Sequence, residues 1–79
     1  MDATVLAERL VRARAARGLT QSELARAANL AEGTIVSRIE RGVSIPRTDT
    51  MAKIADALDV SLDWLSGKGS DAVPERAAA

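Results

Sequence analysis

The chain offers a narrow set of reactive groups. It has eleven Lys+Arg and eleven Asp+Glu, but no His and no Cys. Thiol chemistry, disulfides, Cys/His zinc sites and a His-based triad or general base are therefore excluded. The acids Asp56, Asp59 and Asp63 lack the spacing of a calcium loop and read as a solvated acidic face, so no metal is expected. No phosphate-binding glycine loop is present, no cofactor is implied, and an enzyme is the least favoured class. What remains is carboxylate, ammonium, guanidinium, amide and hydroxyl chemistry, with no triad, metal set or phosphate loop assembled from it. Nine of the eleven bases are Arg.

The charges are unevenly placed. Residues 1–50 carry eight Arg against six acids, a net +2, and residues 51–79 carry three bases against five acids, a net −2. The chain is thus a mild dipole, basic first. A net charge of zero overall argues weakly against a nucleic-acid partner. At 79 residues, with 47% hydrophobic and 28% charged side chains, one small globular domain is expected. No apolar run approaches a membrane span and the N-terminus lacks a secretory pattern, so a cytoplasmic protein is expected.

The elements that must position these groups read as helices. Ala, Leu, Arg and Glu dominate, and Gly18, Gly33, Gly42, Pro46 and Gly67 punctuate the chain. A first helix is expected over about 4–17, with Leu6, Leu10 and Ala13 as its apolar stripe and an Arg-rich outer surface. A second follows over about 21–28, opened by a Thr20/Glu23 capping box and burying Leu24, Ala25 and Ala28. Asn29 suits a left-handed turn. The third covers about 32–41 and stops at Gly42, with Ile35 or Val36 facing inward beside Ile39. The fourth covers about 48–58, capped by Thr48 or Asp49, with Met51, Ile54, Ala55 and Leu58 at i, i+3, i+4 and i+7. Ser61 caps a last helix over 62–66. Residues 3–67 form the expected domain, and residues 68–79 read as a flexible tail or linker.

Two short helices around a turn, with a helix before and after, make a helix-turn-helix in an all-α fold of five helices. Four motifs occur in order: TQSELA at 20–25, IVSRIERG at 35–42, PRTDTMAKIADAL at 46–58 and VSLDWL at 60–65. In these the chain resembles the lambda-repressor/Cro-like helix-turn-helix family, also called the xenobiotic-response-element type, over about residues 6–65. The resemblance implies a sequence-specific DNA-binding transcriptional regulator of bacterial or phage type, a repressor, whose third helix enters the major groove. On that helix the expected groove-facing residues are Glu32, Gly33, Thr34, Ser37, Arg38 and Arg41. Arg38 suits guanine O6/N7, Thr34 a thymine methyl, and Glu32 the cytosine amino group. Gln21 is placed against phosphate or the recognition helix, and Ser44 and Arg47 lie in a loop that passes the backbone. Glu40 reads as structural, tying the third helix to an Arg of the first; Arg14 and Arg17 read as a solvated face, with phosphate contact by one of them as the alternative.

Two departures from the family pattern stand out. The stretch from Gln21 to Glu40 is one residue longer than the commonest form, so either Ile35 or Val36 takes the buried position. The choice turns the third helix by about 100° relative to its start. Ala31 also stands where the family has a Ser or Thr cap, which weakens that start by about 1 kcal/mol. The expected partners are a palindromic double-stranded operator and a second copy of the chain, joined through Leu62, Trp64 and Leu65. The rival reading is a protein-interaction module, such as an antitoxin or a helical scaffold; a further one is the DNA-binding part of a longer regulator.

Overall fold

The computed structural model describes residues 1–75. Among them are five helices and no strand: α1 (Ala3–Ala16), α2 (Gln21–Ala27), α3 (Thr34–Glu40), α4 (Thr48–Leu58) and α5 (Leu62–Leu65). The fold class is the one expected. α1 packs on α3 and α5, α2 on α3 and α4, and α4 on α5. Leu6, Leu10, Leu24, Ile39, Ile54 and Leu58 are the large side chains at the centre. The periodicity of α4 reaches this centre directly, with Met51, Ile54, Ala55 and Leu58 all buried.

Local signals set most helix ends. Thr20 Oγ1 accepts from Glu23 N at 3.0 Å, and Glu23 Oε1 accepts from Thr20 N at 2.8 Å, completing the capping box. Ser61 Oγ accepts from Trp64 N at 3.0 Å. Asp2 starts α1, its Oδ1 accepting from Thr4 N at 2.8 Å and Val5 N at 3.3 Å; this cap was not expected. Conversely, Arg47 occupies the cap position of α4 without a side-chain bond. Neither Thr48 nor Asp49 caps that helix, because both already lie in its first turn.

The start of α3 falls later than the expected residue 32. Gly33 takes the cap position with no side-chain bond. With no hydroxyl at Ala31 to hold the first amides, and with the conformational freedom of Gly33, the first turn forms only from Thr34. The open question of register is resolved at the same place. Val36 is fully buried, whereas Ile35 packs at the edge of the core. From Thr34 to Glu40 the helix is regular, so the additional residue is taken up in the turn that runs from Asn29, at φ 56°, to Gly33.

Beyond α5, where the composition predicts a solvated tail, the chain turns back on α1. Carbonyls of Gly67, Lys68, Gly69 and Pro74 accept from Arg9 and Arg17. Part of the expected tail, residues 76–79, lies outside the described residues. No helix of the described residues is long and apolar enough to cross a membrane.

Candidate nucleic-acid interface

The side chains that orient α3 come from three helices and meet at Glu40. Arg14 Nε donates to Glu40 Oε2 at 2.6 Å and Arg14 Nη2 to Glu40 Oε1 at 3.0 Å. Gln21 Nε2 donates to the same Oε1 at 3.0 Å, and Arg14 Nη1 donates to the Leu19 carbonyl at 2.9 Å. The Glu40 side chain is 7% exposed and that of Arg14 21%. The paired geometry is the bidentate fork that suits guanidinium and carboxylate. Its hydrogen bond to Glu40 raises the Arg14 pKa, burial opposing, so the guanidinium stays charged. Glu40 therefore ties α3 to α1, as expected, and Gln21 lies against α3.

This network leaves one stripe of α3 facing solvent. Thr34, Arg38 and Arg41, at i, i+4 and i+7, are exposed, and Ser37 beside them is half-buried. Among the described residues, the Arg38 and Arg41 guanidinium groups have no hydrogen-bond or ion-pair partner. Glu32 and Gly33 are exposed but lie ahead of the helix in the turn. The Glu32 carboxylate accepts from Thr34 Oγ1 at 3.2 Å, which holds an acid beside the stripe.

The loop after α3 begins at Gly42, whose φ of +72° closes the helix in the left-handed region. Its own N–H donates to the Ile39 carbonyl and that of Val43 to the Arg38 carbonyl. Ser44 is half-buried, and Arg47 is exposed with its Nε 3.7 Å from Asp49 Oδ1. Both partners of that pair are solvated, so it holds Arg47 only loosely. Val43 and Ile45, on either side of Ser44, are exposed.

Of the arginines on α1 and at its C-terminal cap, Arg9, Arg14 and Arg17 are committed inward, while Arg12 stays exposed beside Asp71. Arg17 Nε donates to the Leu58 carbonyl at 2.8 Å and its Nη2 to those of Asp59 and Pro74. Arg9, read in sequence as surface, is 7% exposed. A signal for this was present: Leu6, Arg9, Leu10 and Ala13 fall at i, i+3, i+4 and i+7, so Arg9 lies within the apolar stripe.

The expected contact surface for a second copy is altered by the same feature. Trp64 and Leu65 are buried within the single chain. The Arg9 guanidinium lies 5.1 Å from the Trp64 ring centroid, and Trp64 Nε1 donates to the Ser70 carbonyl at 2.9 Å. Of Leu62, Trp64 and Leu65, only Leu62 keeps partly exposed surface. Trp64 and Leu65 are thus core residues, and the chain after α5 reaches Trp64 through the Ser70 carbonyl.

Residues 10–65 match the family model described as helix-turn-helix. Over 63 residues the chain is 40% identical to the HTH-type transcriptional regulator ImmR of Bacillus subtilis (strain 168), an alignment covering 80% of this chain and 49% of ImmR. The chain thus spans about half the length of that curated relative. No solved structure matches the chain.

Proposed function

Because this chain belongs to the lambda-repressor/Cro-like helix-turn-helix family of transcription regulators, we propose that it binds a specific double-stranded operator through α3 and acts as a repressor of bacterial or phage type in the cytoplasm. One observation carries this reading. The guanidinium groups of Arg9, Arg14 and Arg17 are spent on internal acceptors, while those of Arg38 and Arg41 stand unpaired on the outer stripe of α3.

In this reading α3 lies in the major groove, with Thr34, Ser37, Arg38 and Arg41 toward base edges and phosphates. Arg38, at the middle of the stripe, makes the bidentate contact to guanine O6/N7. Glu32 and Gly33 approach from the turn, where Glu32 accepts from a cytosine amino group and rejects bases that offer an acceptor there. Gln21 has one amide hydrogen on Glu40 and turns its remaining donor toward a phosphate. Ser44 and Arg47 hold the adjacent backbone and set position rather than sequence. One such helix reads only a few base pairs. Useful selectivity therefore requires two copies on a two-fold symmetric site, with half-sites about 34 Å apart. Repression follows from occupancy, because a bound dimer excludes polymerase without needing an activating surface.

Enrichment of duplexes from a random pool, followed by a salt titration, tests this reading. A palindromic motif is expected, with log K falling by about 0.9 per phosphate contact for each unit of log salt. A protein-interaction module is the second reading, favoured by the zero net charge and by Glu32 beside the stripe. That reading predicts no enriched motif and a salt dependence near zero.

A further inference from the structure

Arg9 is the one charged residue among the buried residues described, and its counter-groups are dipoles. Nη1 donates to the carbonyls of Trp64 at 3.0 Å and Lys68 at 3.1 Å. Nη2 donates to those of Gly67 at 3.3 Å and Gly69 at 2.9 Å. Three of these four acceptors lie past the end of α5. The same stretch is held at three more points: the Ser70 carbonyl by Trp64 Nε1, the Pro74 carbonyl by Arg17 at 2.8 Å, and Asp71 by Arg12 at 3.6 Å. Two glycines with positive φ let the backbone turn its carbonyls inward, Gly67 at +113° and Gly69 at +74°. At Gly67 a Cβ would come within 2.8 Å of Val5 Cγ1, so only glycine lets the chain pass over Val5.

We propose that residues 67–74 form a strap whose docking on α1 is thermodynamically one event with completion of the helical core. Docked, the strap supplies the acceptors that make a buried guanidinium tolerable and covers Trp64. Released, it leaves Arg9 with a single carbonyl and the Trp64 indole N–H with none. The strap is a conformational device: anything that draws residues 67–74 into an extended form loosens α1, and anything that holds them docked tightens it. It places the edge of the folded unit beyond residue 67.

Gly69→Val tests the strap in the full chain. The space around Gly69 is open, with no atom within 4 Å of an added Cβ, so the first atom added meets no core contact. A β-branched residue is barred from a φ of +74°, so the backbone must leave its docked course. The expected result is a red shift of Trp64 emission, stronger acrylamide quenching and a lower urea midpoint. In an Arg9→Met background the same substitution is expected to add less, because the carbonyls of Gly67, Lys68 and Gly69 have lost their donor while Trp64, Arg17 and Arg12 still hold the strap. Should Arg9→Met fail to fold, the graded pair Gly69→Ala and Gly69→Val decides alone, with Val the larger effect. Parental emission, quenching and midpoint in Gly69→Val would overturn the proposal, as would an undiminished effect in the Arg9→Met background.

Discussion

Replacing Glu40 by Ala removes the joint that holds α3 to its neighbours. Three hydrogen bonds disappear, two from Arg14 and one from Gln21. Removing one member of a buried ion pair costs about 3–5 kcal/mol, mainly because the other charge is left without a partner. Arg14 is one-fifth exposed and keeps its bond to the Leu19 carbonyl, so water and that carbonyl recover part of the loss. The expected cost is then about 3 kcal/mol, the lower end of that range. For a chain of 79 residues, total stability at ~0.05–0.15 kcal/mol per residue is about 4–12 kcal/mol. The substitution therefore removes a quarter or more of it, and the melting temperature falls by roughly 12–24 °C. Urea unfolding followed by far-UV circular dichroism reads the change. The double variant Arg14→Leu with Glu40→Leu is the control: with both charges gone, it is expected to stand within about 1 kcal/mol of the parent. A loss below about 1 kcal/mol in Glu40→Ala would mean that the network behaves as a surface ion pair and does not hold α3 in place.

Other outcomes follow from the same geometry. Arg38→Ala is expected to relax selection at one operator position by about 1–3 kcal/mol, whereas Arg47→Ala weakens all duplexes alike and lowers the salt slope by about 1; an unchanged selected motif in Arg38→Ala would remove that residue from base reading. Val36→Ala is expected to destabilise by about 2 kcal/mol and Ile35→Ala by about half that or less, since only Val36 is fully buried; the reverse order in chemical denaturation would reverse the register of α3. Hydrogen bonds from the Thr20 backbone and side chain lower the Glu23 pKa, so its share of stability is present above the unfolded value, about 4.3, and is lost as pH falls through the lower folded value. Glu23→Gln keeps an acceptor for the Thr20 amide without titrating, so its acid limb in thermal melts is expected to be shallower; superimposable limbs would contradict the linkage.

The parts of this protein that were legible in sequence are those governed by interactions three or four residues apart. The Thr20/Glu23 box, the glycine stop at Gly42 and the period of α4 each act within one turn or two, and each acts in the fold as the local pattern predicts. The spacing of Thr34, Arg38 and Arg41 likewise places them on one stripe wherever α3 is put. Order and spacing of the four motifs sufficed for the family and the fold class. Tertiary structure decided the rest, because it depends on groups far apart in the chain. Both Ile35 and Val36 form acceptable pairs with Ile39 within the helix, and only the core against α3 selects Val36. Glu40 meets Arg14 across 26 positions and Gln21 across 19. The longest spans are those of Arg9, whose acceptors lie 55–60 residues ahead; no local pattern shows that a polar, glycine-containing tail returns to supply them. Burial of an arginine and coverage of Trp64 are settled only when those carbonyls arrive, since a charge enters the core only where dipoles replace the water it loses.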